Sequence, residues 1–388
     1  MRVFLIVLDG VGIGELPDAG DYGDRCSATL QHVAEVNGGL KLPNLEALGL
    51  GRLVSVAGVR ALAAPRGARA RMAERSKGKD STTGHWELAG LEVAHAFPTY
   101  PHGFPETLLD RWSERIGRGW MANVVGSGTD VIQRYGAEHQ RSGRLIVYTS
   151  ADSVFQVAAH ETTVPLEQLY DACRAARTLL TGEHGVGRVI ARPFEGAEGS
   201  YRRTPNRRDF SLEPPEPTLL DRLVEAGEPV VTVGKVDDLF AGRGITEAFH
   251  TRGNAEGEDL LAELVRRPGR GLVFANLVDF DQQYGHRNDP AGFGRALEQF
   301  DTRLEEILGH LRSDETCWIT ADHGNDPTTP STDHAREYVP LLIGGPRVRA
   351  GADLGTRSTF ADVAATLSEA FELRPPKTGT SFLREVRT

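Results

Sequence analysis

Three short apolar runs of this chain end in acidic residues, and the spacing of those residues suggests metal chemistry. The first run closes as Val7-Leu8-Asp9-Gly10. The second closes as Asn276-Leu277-Val278-Asp279-Phe280-Asp281, with Gly285-His286 shortly after it. The third closes as Ile319-Thr320-Ala321-Asp322-His323-Gly324-Asn325, and His334 stands eleven residues beyond His323. Taken singly, an acid after a strand is ordinarily a solvated turn or a helix cap. Taken together, carboxylates and imidazoles form a donor set suited to Mn²⁺, Zn²⁺ or Mg²⁺. Adjacent Asp322 and His323 leave a strand on opposite faces, so each can take a different position around a cation. Gathered in one buried place without a cation, such carboxylates would repel one another and their pKa values would rise. A pair of divalent ions removes that cost.

A nucleophile candidate lies in Lys79-Asp80-Ser81-Thr82-Thr83-Gly84-His85-Trp86-Glu87. Ser81 reads as a fair helix N-cap, although Gly84 leaves a capping box without its partner. The chemical alternative is that one hydroxyl attacks phosphorus while helix N–H groups receive the phosphate oxygens. Ser81 is the first candidate for that hydroxyl and Thr82 the second.

These residues need elements to position them. Val3–Leu8, Leu145–Tyr148, Val230–Val233, Leu272–Leu277, Trp318–Thr320 and Leu341–Ile343 have the apolar, β-branched character of strands buried on both faces. Helical patterns over Leu166–Leu180, Asp259–Arg267, Phe293–Leu311 and Ala361–Phe371 alternate with them, which predicts an α/β fold with a mostly parallel sheet. In such sheets ligands gather at the carboxyl ends of strands, where the acids stand. Proline and glycine punctuate residues 94–105 and 214–217, so the block 97–216 reads as a domain inserted between a first core segment, 1–96, and a second, 217–388.

The 388 residues are 39% hydrophobic and 25% charged, ordinary for a soluble protein, and the formal net charge is −10. That balance argues against nucleic-acid and anionic-membrane partners, which need a basic face. The three cysteines form no CxxC pair, so neither a thiolate zinc site nor a disulfide framework is expected. Asp9 cuts the N-terminal apolar run too early for a signal or membrane segment, and a cytoplasmic location is expected. Gly12-Ile13-Gly14 fails as a dinucleotide fingerprint because Pro17 replaces the third glycine. His160-Glu161 fails as a zincin helix because Val164 replaces the second histidine. Five arginines between Arg60 and Lys77 lack interleaved aromatics and do not read as an RNA surface.

In their order, Asp9, the Lys-Asp-Ser-Thr-Thr-Gly-His segment, Asp-Phe-Asp with Gly-His, and Ala-Asp-His-Gly-Asn with a later His resemble the alkaline phosphatase superfamily. The flanking text resembles the phosphopentomutase family in particular: Val11-Gly-Ile-Gly-Glu15, Gly84-His-Trp-Glu87, Tyr148-Thr-Ser-Ala-Asp-Ser153, Gly187-Arg-Val-Ile-Ala-Arg-Pro-Phe194, Thr204-Pro-Asn-Arg207 and Thr332-Asp-His-Ala-Arg-Glu-Tyr-Val-Pro340. The likeness runs from Val3 to about Phe382. It implies a sheet core of alkaline phosphatase type with an inserted α/β cap that closes over it and grips a sugar phosphate. It implies one cation on Asp281, His286 and His334, and another on Asp9, Asp322, His323 and the nucleophile Ser81, with Mn²⁺ as the expected ion. The family usually has Thr where this chain has Ser81; the hydroxyl is kept, and serine nucleophiles occur elsewhere in the superfamily. Asp152, Arg188, Arg203 and Lys235 are the implied substrate contacts, with Arg192 and Arg207 behind them. The implied reaction interconverts (deoxy)ribose 1-phosphate and (deoxy)ribose 5-phosphate through a phosphoserine and a 1,5-bisphosphate, primed by a sugar bisphosphate; the sequence does not fix the oligomeric state, with a monomer slightly favoured. The rival reading is a cofactor-independent phosphoglycerate mutase or a phosphatase of the same superfamily. A catalytically dead sugar-phosphate binder or structural metalloprotein is disfavoured by the intact Ser81 and its six companion ligands.

Overall fold

Burial explains the strands. All seven residues of the first strand, Arg2–Leu8, and all seven of Gly271–Leu277 are buried, so each needs apolar cover on both faces. The computed structural model describes residues 1–150 and 152–388, leaving Ala151 of the Tyr148–Ser153 motif outside. In chain order the strands are β1 (Arg2–Leu8), β2 (Ala68–Met72), β3 (Trp120–Val125), β4 (Leu145–Thr149), β5 (Val154–His160), β6 (Arg188–Glu195) and β7 (Arg202–Arg203). They continue with β8 (Arg208–Ser211), β9 (Val230–Val233), β10 (Glu247–Phe249), β11 (Gly271–Leu277), β12 (Glu315–Thr320), β13 (Val339–Gly344) and β14 (Asp353–Arg357). The chain divides into two compact units, Met1–His95 with Pro214–Thr388, and Ala96–Glu213.

The first unit is built on an eight-stranded sheet ordered β10-β9-β11-β1-β12-β13-β2-β14. Pairing is parallel from β10 to β12 and between β2 and β14, and antiparallel on both sides of β13. Register matters for the site. Leu8 of β1 lies opposite Leu277 of β11, and Val7 lies opposite Thr320 of β12. Three parallel neighbours therefore end on one edge of the sheet, each followed by its acids. The long helix Pro290–His310 covers one side with Phe293, Leu297, Phe300, Leu304 and Ile307, all buried at helical spacing. Burying five such side chains contributes roughly 1.5–3 kcal/mol each before entropy is subtracted. The helix starts cleanly because Asp289 accepts from the N–H of Gly292 and Pro290 fills the first turn.

The arginine-rich stretch holds a strand that composition had concealed. In β2 Ala68, Ala70 and Met72 are buried, and Arg69 is itself only 4% exposed, donating to the Gly351 carbonyl and to Asp353. Small residues alternating with arginine give a weak apolar signal, and the partners that satisfy Arg69 lie nearly three hundred residues away.

The second unit carries its own sheet, β3-β4-β5-β6-β7, with β8 also on β6. Leu108, Leu109 and Trp112 of the helix Glu106–Ile116 and Leu169, Cys173 and Ala176 of Leu166–Leu179 share a core cluster with Val147, Phe155, Val157 and Val189. A second cluster joins Val131 and Ile132 of the helix Gly128–Ser142 to Ile146, Tyr148, Ala158, Phe194 and Tyr201. Among the described residues no helix is long and apolar enough to cross a membrane.

Candidate active site

The nucleophile segment differs from its sequence reading in one respect. Asp80, not Ser81, is the N-cap of the helix Ser81–Leu88; its carboxylate accepts from the N–H groups of Thr82 and Thr83, and Thr83 completes a capping box. A carboxylate one residue earlier reaches both orphan donors, which frees the Ser81 hydroxyl from any capping duty. The same bonds occupy the Thr82 and Thr83 N–H groups, so the helix start does not present them to a phosphate as the sequence had suggested. Gly84 lets this helix lie against β12's extension, since a side chain there would run into the Asp322 carbonyl.

Ser81 Oγ lies 3.4 Å from Asp9 Oδ1 and 3.2 Å from His323 Nε2. Asp9 Oδ1 is 3.3 Å from the same nitrogen. Asp322 uses one oxygen to accept the Gly10 N–H at 3.1 Å. Its other oxygen, Oδ2, is buried and lies 3.1 Å from His85 Nδ1 and 3.5 Å from His323 Nε2. Asp281 Oδ2 stands 3.2 Å from His286 Nε2, and Oδ1 stands 3.5 Å from His334 Nε2. Two histidines are aimed by backbone carbonyls: Nδ1 of His286 faces Thr332 O and Nδ1 of His323 faces Gly324 O, leaving Nε2 turned inward. The rings of His323 and His334 approach to 4.2 Å between centroids.

All seven sequence-predicted ligands thus converge at one edge of the sheet. They sort into Asp281, His286 and His334, and into Asp9, Asp281 and His323, with ligand atoms in each group within 4.8 Å of one another. The sharing of Asp281 is a finding of the structure; Asp322, expected with Asp9 and His323, reaches that group through Oδ2, 3.5 Å from His323 Nε2. Asp9, Asp281 and Asp322 are 3%, 4% and 0% exposed, far too buried for three free charges. Burial first, and then Asp322 and Asp281, push the Asp9 carboxyl above its ordinary range. Burial opposes the charged form of His323, but Asp322, Asp9 and Asp281 outweigh it and hold the imidazolium. Burial likewise opposes the Asp281 carboxylate, yet His334, His286 and His323 keep it well below the usual range. Three buried carboxylates beside inward-facing imidazoles fit a pair of divalent cations.

Other polar residues support this centre and carried no independent sequence signal. Asn325 Nδ2 donates to Asp281 Oδ1 at 2.6 Å, and Asn276 Nδ2 donates to Asp9 Oδ2 at 2.9 Å. An asparagine at a strand end looks like any turn residue until its partner is known.

Lys235 follows β9 in the first unit and precedes the short helix Val236–Leu239. The remaining substrate candidates lie in the second unit. Arg188 opens β6, 3.7 Å from Asp209, and Arg207 forks onto the same carboxylate at 2.7 and 2.6 Å. Arg192 donates to Gln156, and burial, with Arg207 and Arg203 beside it, lowers its pKa to about 10. Arg203 on β7 is exposed and lies against Gly128. Asp152 is exposed in the turn between β4 and β5.

The fold and the paired carboxylate–histidine centre define a metal-dependent enzyme, and the Metalloenzyme superfamily model matches residues 1–375. The phosphopentomutase of Caldanaerobacter subterraneus is 55% identical over 385 residues, covering 99% of this chain and 98% of its own. That of Carboxydothermus hydrogenoformans is 56% identical over 386 residues, covering 100% and 99%. Phosphoglycerate mutase of Leishmania mexicana shares the fold at a TM-score of 0.50 and 15% identity, covering 98% of this chain and 96% of its own. The chain belongs to the phosphopentomutase family of the metalloenzyme superfamily.

Proposed function

We propose that the chain interconverts α-D-ribose 1-phosphate and D-ribose 5-phosphate, and the corresponding deoxyribose pair, through a phosphorylated Ser81. The observation that carries this reading is the Ser81 hydroxyl, at the first residue of a helix, within 3.4 Å of Asp9 Oδ1 and 3.2 Å of His323 Nε2. Family membership supplies the substrate class, and the names of relatives at 55% and 56% identity favour it over phosphoglycerate.

Asp281, His286 and His334 would hold one divalent cation, and Asp9, His323, Asp322 and Ser81 the other, with Mn²⁺ the ion expected from the resemblance. When bound, such cations polarise the attacking and leaving oxygens and offset charge on the transferring phosphoryl group. Phosphoserine 81 donates first: the free hydroxyl of the sugar monophosphate attacks phosphorus, loses its proton, and the P–Oγ bond breaks. The resulting 1,5-bisphosphate turns round. Ser81 Oγ then attacks the other phosphorus, and the released sugar oxygen takes up a proton. Whenever Ser81 is unphosphorylated, Asp9 Oδ1 and His323 Nε2 are near enough to fix its hydroxyl hydrogen and aim the oxygen. Asp152, Arg188, Arg203 and Lys235 are the proposed sugar-phosphate contacts; guanidinium forks match phosphate geometry. A sugar bisphosphate would prime an unphosphorylated enzyme.

The test is turnover of ribose 5-phosphate, 3-phosphoglycerate and p-nitrophenyl phosphate with Mn²⁺ and a trace of ribose 1,5-bisphosphate. Ribose 5-phosphate should be favoured strongly, label from the bisphosphate should be trapped on Ser81, and Ser81→Ala should lower kcat by at least about 10³-fold. Undiminished turnover in Ser81→Ala, or a preference for 3-phosphoglycerate, would overturn the reading.

A further inference from the structure

His85 and Asn276 touch one another in the interior behind the cation centre, and neither is among the ligands. His85 is fully buried on the helix Ser81–Leu88, and Asn276 is 1% exposed on β11. The Asn276 amide nitrogen lies 2.9 Å from Asp9 Oδ2 and 3.1 Å from His85 Nε2. A carboxylate oxygen can only accept, so the group facing Asp9 must be the NH₂ end of the amide. Its second hydrogen then points to His85 Nε2, which must accept as well. The imidazole hydrogen is thereby placed on Nδ1, which lies 2.8 Å from the Ser81 carbonyl and 3.1 Å from Asp322 Oδ2. The tautomer, the amide orientation and the carboxylate orientation follow from one another.

We infer that His85 and Asn276 form a brace that positions Asp9 and the Ser81 backbone against each other for cation binding. Asp9 divides its oxygens: Oδ2 is tied to Asn276, and Oδ1 is left facing Ser81 Oγ and His323 Nε2. Without the brace Asp9 is free to rotate about its side-chain torsions, and the helix bearing Ser81 loses its tie to β11. Both are positioning residues, since they act through Asp9, Asp322 and Ser81. Phe274, which stacks on His85 at 5.6 Å between ring centroids, holds the imidazole plane.

The inference rests on the two-cation reading, so the test measures cation binding directly. Mn²⁺ is titrated into metal-free wild type and into Asn276→Leu, His85→Leu and His85→Gln, with thermal unfolding and ribose 5-phosphate kinetics alongside. In Asn276→Leu and His85→Leu one of two Mn²⁺ sites should weaken by roughly 10- to 100-fold, while the other stays within about threefold. His85→Gln can present an amide oxygen where Nε2 was, so it should keep both affinities near wild type and rescue kcat. KM for ribose 5-phosphate should barely move in any of them. Lower thermal stability with both Mn²⁺ affinities intact in Asn276→Leu would overturn the brace, as would His85→Gln proving as damaging as His85→Leu. Wild type binding fewer than two Mn²⁺ would remove the two-cation reading and the brace with it. Wild type that binds two Mn²⁺ but ignores ribose 5-phosphate would remove the proposed substrate alone, and the affinity pattern would still uphold the brace.

Discussion

Replacing Arg336 with methionine should destabilise the protein severely, and more at alkaline than at acid pH. Arg336 is 1% exposed and is among the largest fully buried side chains. Its Nη1 donates to Glu74 Oε2 at 2.7 Å, Ser76 O at 2.8 Å and Gly78 O at 2.6 Å. Its Nη2 reaches Glu74 O at 3.0 Å and Asp18 Oδ2 at 3.1 Å. Methionine fills much of the volume but donates nothing. Three backbone carbonyls lose a donor, at about 1 kcal/mol each by the lower mutational figures. Glu74, already held well above its ordinary range by burial, loses the cation that opposes that shift. Breaking a buried pair from one side costs about 3–5 kcal/mol while the remaining partner stays charged. The sign follows from proton counting. Glu74 without Arg336 has a folded pKa further above its unfolded value, so the folded state binds the extra proton and stability falls as pH rises. At pH 5.5 the loss should be about 3 kcal/mol, and at pH 8 it should rise toward about 6 kcal/mol. Urea unfolding of Arg336→Met, Glu74→Gln and the double variant at both pH values measures this, with Mn²⁺ held constant. The double variant should recover most of the alkaline excess. A loss below about 1 kcal/mol, or one independent of pH, would refute the reasoning. Because the gripped carbonyls lead straight into Lys79-Asp80-Ser81, kcat should fall even under conditions where the variant is fully folded.

Other outcomes are open to simple measurement. Asp80→Ala removes the cap of the Ser81 helix, accepting from two N–H groups, and should cost about 1 kcal/mol with a 10- to 100-fold drop in kcat; unchanged kinetics would separate helix placement from nucleophile placement. Glu258, pushed by burial from 4.5 up to about 7, binds its proton more tightly when folded, so stability should fall as pH rises through that window. The total is at most about 3 kcal/mol, and Glu258→Gln should flatten the slope of unfolding free energy against pH. Chelation should lower the unfolding midpoint, since each site filled at 100 times its Kd contributes about 2.7 kcal/mol, and Mn²⁺ should restore it. Although burial opposes it, the hydrogen bond with Asp281 pushes His286 up to about 9; Mn²⁺ binding at pH 7 should therefore release protons, and affinity should rise toward pH 9. Calorimetry in buffers of different ionisation enthalpy detects that release, and a proton count of zero would contradict it.

The sequence by itself carried the candidate cation-binding residues and much of the sheet, because both leave local marks. A strand buried on two faces must be apolar throughout, so β1, β9 and β11 were visible within a residue of their observed bounds. Acids and a histidine following such strands mark a candidate site by type and order, and Asp9, Asp281, Asp322 and His323 did so before any pairing was known. The alternating Ala68–Met72 strand was missed because its arginines are satisfied by distant partners, Arg69 by Asp353 among them. The cap of the Ser81 helix was misplaced by one residue because Ser and Asp compete for that role, and only backbone geometry decides between them. Tertiary structure alone put Asp281 between both histidine groups, brought Asp322 Oδ2 to both His85 and His323 and bound Asp9 to Asn276. Those are facts about which atoms meet across separations that reach more than two hundred residues of chain. Register between parallel strands sets them, and hydrophobic patterning along one strand contains no term for its neighbour.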